Sequence, residues 1–215
     1  MKRGTLLKYV IFDFDGTLAD SNRLFMKAWN LFADQYHYDR VTEEDIVTSK
    51  NLTIHERAKK YRFPMHKLPI ILPKVNRYFK EHIDEVQLFE GIREMLHNVQ
   101  RAGYTIVIIS SNAKENIELF LKHQQVHVVS QVLTSSRLFG KDTVIKKFMK
   151  QQGLTVNDVL YVGDEIRDII ACNKVGVPFV WVSWGLDGYE LIEKEKPTYV
   201  VHSPKELSEL LVKRQ

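Results

Sequence analysis

From residue 104 onward, short β-branched runs alternate with amphipathic helical segments, and this alternation restricts the possible folds more than any other feature of the chain. The runs TIVIIS, SQVLTS, DVLYVG and PFVWVS are separated by helical patterns over 115–124, 142–152 and 166–175. Such an order predicts an α/β fold in which a parallel sheet carries helices on both faces. TIVIIS and DVLYVG are apolar almost throughout, as strands covered on both sides must be, whereas a strand with one wet face would alternate. YVVHSPKELSELL adds a short strand and a closing helix.

One more strand, KYVIFDF, stands far upstream, and the next begins only near Tyr104. A simple crossover between parallel strands needs far fewer residues, so a unit is inserted between them. The insertion reads as helical. Ser21 is placed to cap a segment whose Phe25, Trp29, Phe32 and Tyr36 recur at helical spacing, and Thr53 with Glu56 makes a capping box for a second. Pro64, Pro69 and Pro73 punctuate the middle, and another helix is expected from 75 to about 83. The expected organisation is a sheet unit of residues 1–18 and 87–215 with an inserted helical unit of residues 19–86. LFEGIREMLHNVQRAGY leads back to the sheet, its apolar stripe at Ile92, Met95, Leu96 and Val99 ending at Gly103.

Composition excludes several classes. With 44% hydrophobic and 27% charged residues the chain is an ordinary globular one, not a disordered one. Thirty-one Lys and Arg against 27 Asp and Glu leave a net charge of +4, too small and too dispersed to indicate a nucleic-acid partner. The single cysteine, Cys172, can form no internal disulfide, and no Cys/His grouping has zinc-site spacing, so a reducing cytoplasm is expected. MKRGTLLKYVIF starts like a signal, but Lys8 interrupts it and acids follow at once; it is read as a strand. No stretch approaches the ~20 apolar residues a membrane span requires.

The chemistry sits at the strand ends. Side chains repeat every two residues along a strand, so Asp13 and Asp15 at the end of KYVIFDF share one side. Ligands of such sheets bind just beyond those ends. Gly16 lets the backbone turn tightly there, so DFDGT can set carboxylates and N–H groups around one anion. Ser110 ends VIIS at the same edge with a hydroxyl and following amides able to hold phosphate oxygens, and Asn112 is placed to cap the next helix. Lys141 opens a helix after Phe139 and Gly140, an awkward position for a cation unless an anion lies nearby. YVGDEIRD sets Asp164, Glu165 and Asp168 past another strand, and Asp164 would stand beside Asp13 if the two strands are neighbours.

In order, DFDGT, VIISSN, FGK and YVGDEIRD resemble the four motifs of the haloacid dehalogenase superfamily, in its phosphoglycolate phosphatase-like branch. The resemblance implies a Rossmann-like α/β core with a helical cap inserted after the first motif. It also implies a Mg²⁺-dependent phosphatase that hydrolyses a small phosphorylated substrate, a phosphoglycolate-like phosphomonoester, through an aspartyl-phosphate. On that resemblance Asp13 attacks phosphorus, while Asp15 protonates the leaving oxygen and then activates water. Ser110 and Lys141 bind the phosphoryl group, with Gly16, Ser111 and Asn112 around it. Asp13, the Asp15 carbonyl and Asp164 hold the metal. Asp168 and Glu165 stand behind them, Asp168 positioning Lys141 or a metal-bound water. Ser111 competes with Ser110 for the second motif, and Ser110 is preferred because it lies at the strand terminus.

Other readings stay open at this point. Dehalogenases of the superfamily do not keep an acid at the second position of the first motif, so Asp15 argues for phosphoryl transfer. A phosphomutase of the β-phosphoglucomutase type and a non-catalytic binding protein on the same fold are the alternatives. The cap is expected to select the substrate. Its Phe25, Trp29 and Phe32 read first as packing, and the polar loop 48–51 as the source of selecting groups. A monomer or a homodimer is expected, the latter through exposed cap aromatics.

Overall fold

The computed structural model describes residues 7–135 and 140–213. In chain order the elements are β1 (Tyr9–Phe12), β2 (Ala19–Asp20), α1 (Asn22–Tyr36), α2 (Glu43–Thr48), α3 (Ile54–Lys60), α4 (Leu68–Glu81), β3 (Gln87–Leu88), α5 (Ile92–Arg101) and β4 (Thr105–Ser110). They continue with α6 (Lys114–His123), β5 (Val129–Thr134), α7 (Lys141–Gln152), β6 (Val159–Gly163), α8 (Ile166–Val175), β7 (Phe179–Val182), α9 (Tyr189–Ile192), β8 (Tyr199–Val201) and α10 (Pro204–Val212).

Six strands make one parallel sheet in the order β5-β4-β1-β6-β7-β8. The expected α/β architecture, a Rossmann-like sheet with helices and an appended helical cap, is what forms. Period-two alternation divides β1 between two cores. Val10 and Phe12 pack with Ile92, Leu96, Phe120 and Leu207 on one face, and Ile11 packs with Ile145, Phe148 and Ile169 on the other. Covered on both faces at the middle of the sheet, β6 is buried from end to end. The first strand, lying between β4 and β6, pairs Phe12 with Ile108 and with Val162, so the three strands end within two residues of one another at one edge. That edge is where the acids lie.

The short strands β2 and β3 pair antiparallel where the chain leaves the sheet unit and where it returns. On that pairing we propose the division at residues 18/19 and 86/87. At its root the helical unit packs Leu24, Phe79, Ile83 and Val86 into the main core, while Tyr38, Ala58, Phe63 and Ile71 form a cluster of their own. The capping box of Thr53 and Glu56 is present, with a second one, Thr42 with Asp45, starting α2.

Two local expectations change. The helix expected from 75 begins at Leu68 and runs through Pro73 to Glu81. Pro69 lies in the first turn, where its missing N–H has no partner to lose. Pro73 costs the helix about 3 kcal/mol in general, offset here by burial of Ile71 and Phe79 on the inward face. The cap aromatics also turn inward: the exposed large apolar residues of that unit are Leu31, Val47 and Ile70, none of them aromatic. No helix among the described residues is long and apolar enough to cross a membrane.

Candidate active site

Asp13 follows β1 directly, and its N–H donates to the Val162 carbonyl at 2.8 Å, extending the ladder to β6 by one step. Its carboxylate is buried: one oxygen accepts from the Phe14 N–H at 2.7 Å and the other meets the Lys141 ammonium at 2.7 Å. Lys141 is the first residue of α7, and its Nζ also lies 2.6 Å from Asp168 Oδ1, on the first turn of α8. Burial works against the charged amine, but Asp13 and Asp168 outweigh it and raise its affinity for the proton. The anion anticipated for this badly placed cation is therefore the pair of carboxylates itself.

Asp164 follows β6 and is fully buried, accepting from the Thr17 hydroxyl at 2.7 Å and the Leu186 N–H at 2.8 Å. Burial, then the neighbouring charges of Glu165 and Asp13, pushes its carboxyl far above the ordinary range. Asp168 is pushed up too, by burial and then by Asp13. The Asp168 Oδ2 atom has no hydrogen-bond partner. Asp15 stands at the mouth, its two oxygens held by the Ser21 hydroxyl at 2.8 Å and the Asn112 amide at 3.0 Å. Burial and the adjacent Asp13 charge lift its pKa to about 7 despite those bonds.

The turn that joins Asp13 to Asp15 depends on Gly16. Its φ of +74° is a conformation that side chains resist, and a Cβ there would collide with the Asp164 carboxylate. Gly16→Ala is expected to lower kcat/KM by about 100-fold while the far-ultraviolet spectrum stays unchanged, because a displacement of ~1 Å at the acids is enough to cost that much. Steady-state kinetics beside circular dichroism checks it; full activity would show that the acids tolerate movement.

Residues 10–182 match the family described as haloacid dehalogenase-like hydrolase. The chain belongs to that family. A phosphoglycolate phosphatase of Synechococcus elongatus is 28% identical over 202 residues, covering 94% of this chain and 95% of the relative. The pyrophosphatase PpaX of Bacillus mycoides is 26% identical over 207 residues, with the same coverage of both. Among solved structures, a predicted phosphatase from Clostridium acetobutylicum superposes with a TM-score of 0.82 at 22% identity, over 97% of this chain and 99% of that one. A haloacid dehalogenase-like hydrolase from Streptococcus pneumoniae gives 0.80 at 19% identity over the same shares. The two structures establish the fold.

A divalent cation fits the haloacid dehalogenase-like site. Carboxylate oxygens of Asp13, Asp164 and Asp168 lie within 4.8 Å of one another. Lys141 pairs with Asp13 and Asp168 but not with Asp164; burial and like charge push Asp164 and Asp168 toward the neutral form, and one Asp168 oxygen lacks a partner. Hard oxygen donors with excess negative charge suit Mg²⁺ or a similar ion. Asp168, expected only behind the metal ligands, is part of this cluster as well as a partner of Lys141.

The structure therefore brings together Asp13, Asp15, Gly16, Lys141, Asp164 and Asp168. Ser110 is buried at the end of β4, its Oγ accepting from the Asn112 N–H at 3.0 Å, while Ser111 and Asn112 line the cavity in front of the acids. Asn112 does not cap α6, whose N-cap is Ala113; its amide is taken by Asp15. Ser21 likewise makes no side-chain cap, since its hydroxyl serves Asp15. Glu165 pairs with Arg167 at 2.5 Å, and despite burial Arg167 and Lys141 hold its carboxyl below the usual range. Phe139 of the third motif falls outside the described residues.

Sequence reasoning missed Thr17, Ser21 as an acid partner, and the link between Arg57 of α3 and Asp187 after β7 at 2.6 Å. Asp187 also accepts from the Ile166 N–H, and burial followed by the Glu165 charge lifts it to about 6. Loop 48–51 does not reach into the cavity. Lys50 donates to the Gly185 carbonyl and Asn51 to Glu190, so the loop's polar groups tie the cap to the sheet unit. Thr17 sits inside DFDGT and was open to recognition; the pairing of Arg57 with Asp187 joins positions 130 residues apart and carries no local signal.

Proposed function

We propose that this hydrolase is a Mg²⁺-dependent phosphatase of small phosphomonoesters that works through an aspartyl-phosphate on Asp13. The observation that carries the reading is the buried bridge of Lys141 between Asp13 and Asp168, with Asp164 alongside and Asp15 held separately at the mouth. Such a centre is built to receive an anion on a carboxylate. Asp13, Asp164 and the Asp15 carbonyl would hold the metal, with Asp168 beside them. When bound, the metal supplies positive charge that lets a carboxylate and a phosphate approach one another.

The chain's own groups do the rest. An oxygen of Asp13 forms a bond to phosphorus as the bond to the alcohol oxygen breaks, and the Asp15 carboxyl gives that oxygen its proton. Water then attacks phosphorus, Asp15 takes its proton back, and the acyl-phosphate bond breaks to regenerate Asp13. Lys141 offsets charge on Asp13, and the Ser110 hydroxyl with the amides after it holds phosphoryl oxygens. Ser21 and Asn112 keep Asp15 aimed at the mouth. The names of the curated relatives, a phosphoglycolate phosphatase and a pyrophosphatase, support phosphoryl transfer as the shared chemistry. The buried, unpaired thiol of Cys172 is in keeping with a reducing cytoplasm.

Release of phosphate from p-nitrophenyl phosphate is expected with Mg²⁺, with Mn²⁺ or Co²⁺ as substitutes, and should vanish with EDTA. Ca²⁺ is expected to inhibit by imposing a looser shell. Asp164→Ala should raise the Mg²⁺ concentration for half activity about tenfold or more. Titrating activity against Mg²⁺ for both proteins checks this, and an unchanged midpoint would remove Asp164 from the metal site.

A further inference from the structure

Resting on the phosphatase reading above, we propose that the alcohol carried by the substrate is apolar: an aliphatic or aromatic alcohol, not one bearing a carboxylate or a second phosphate. A cavity of about 310 Å³ runs from Asp13 and Asp15 into the helical cap. Beyond the acids its wall is formed chiefly by Phe25, Trp29, Phe63, Leu68, Ile71 and Val75. Pockets of this size and lining take organic groups, with a few polar positions fixing orientation.

The aromatic part of that wall presents carbon, not hydrogen-bonding groups. Trp29 and Phe63 stack at 4.6 Å, and Tyr38 meets them edge-on at 4.7 and 5.0 Å. The Trp29 Nε1–H is taken by the Asp39 carbonyl at 2.9 Å, and the Tyr38 hydroxyl donates to the Trp29 carbonyl at 2.7 Å. Both polar tips are thus bound to backbone, and ring surface is left for the cavity. Helical spacing marked Phe25 and Trp29 as packing residues, and they are also the cavity wall.

Charge at the rim points the same way. Two arginines line the cavity, and each is already neutralised: Arg57 by Asp187 at 2.6 Å and Arg167 by Glu165 at 2.5 Å. All four side chains are largely buried. An anionic group on the alcohol would have to take an arginine from its carboxylate, leaving a buried charge unpaired. Asp15 on the same cavity wall is held by the Ser21 hydroxyl and the Asn112 amide and offers a second anion no positive charge. The curated relatives are named for phosphoglycolate and pyrophosphate, each of which carries a second anionic group, and the proposal departs from both.

The test is a homologous series on the intact protein with Mg²⁺: ethyl, butyl, hexyl and octyl phosphate, with phenyl phosphate, phosphoglycolate and pyrophosphate beside them. Leaving-group acidity is nearly constant along the alkyl series, so binding alone varies. Each added methylene is expected to raise kcat/KM about threefold until the cavity is full, with phosphoglycolate and pyrophosphate below butyl phosphate. A flat series, or a preference for phosphoglycolate or pyrophosphate over hexyl phosphate, would overturn the proposal. Leu72 lines the cavity and is half-buried, so Leu72→Lys should shift the phosphoglycolate-to-hexyl-phosphate ratio at least ~10-fold toward phosphoglycolate. An unmoved ratio counts against an apolar wall. If no ester, p-nitrophenyl phosphate included, releases phosphate, the phosphatase reading fails on its own. Isothermal titration with ethyl- and hexylphosphonate then decides the cavity: Kd tighter for hexyl by ~3-fold per methylene supports it, and equal Kd overturns it.

Discussion

Asp13→Asn is expected to lower kcat by ~10⁴-fold or more, with the fold and much of the metal affinity retained. An amide nitrogen and oxygen cannot form the acyl-phosphate, so no conservative path remains once the carboxylate is gone. The substitution keeps the side chain's size, and its single oxygen still serves one of the two donors, the Phe14 N–H or the Lys141 ammonium, which in the carboxylate have an oxygen each. Loss of one negative charge beside Asp164 and Asp168 relieves repulsion in the cluster, so melting temperature should hold or rise slightly. Single-turnover mixing with a radiolabelled phosphomonoester provides the direct readout: wild-type protein should carry acid-stable label after quenching, and the variant none. Turnover within tenfold of wild type would remove Asp13 from the role of nucleophile.

Asp15→Asn is expected to cost about 10²- to 10⁴-fold in kcat for alkyl phosphates, the usual span for a positioned acid and base. The loss should be unequal between substrates. p-Nitrophenolate leaves without a proton, so the first step suffers little with that ester, whereas an alkoxide needs the proton that Asp15 supplies. Ser21 and Asn112 bind one oxygen each, and this pair of donors holds the carboxyl at the cavity that Asp13 also lines. Comparing p-nitrophenyl and hexyl phosphate in wild type and variant measures the difference. Equal losses for the two esters would show that position 15 acts by holding structure, not by moving a proton.

Much of the site was legible because its residues occupy strand ends, and strand ends are marked by where apolar runs stop. Asp13, Ser110 and Asp164 each follow or end such a run, and the parallel order of the sheet brings the three runs side by side. Lys141 was legible as an anomaly, a cation at the start of a helix, which the structure resolves with two buried carboxylates. The local rules misled where a polar side chain had two possible partners. Ser21 and Asn112 had the residue types and positions of helix caps, yet both are drawn to Asp15, whose buried charge binds donors more strongly than an orphan N–H does. In α4, proline chemistry predicted a break at Pro73, and burial of Ile71 and Phe79 overrode it.

The division between what the chain spelled out and what folding decided follows the range of the forces involved. Periodicity of apolar residues is a local property, so it determined the strands, most of the helices, the parallel sheet and the inserted unit. Turn chemistry is local as well, and placed Asp13, Asp15 and Gly16 at one sheet edge. Tertiary structure alone decided which charges neutralise one another, because Arg57 and Asp187 meet across the junction of cap and sheet unit. It also decided that the rings of Trp29 and Phe63 form a cavity wall as well as a core. Helical spacing tells which face of α1 is apolar, but whether that face meets protein or empty space depends on how α1, α3 and α4 are held apart, and only packing sets that distance.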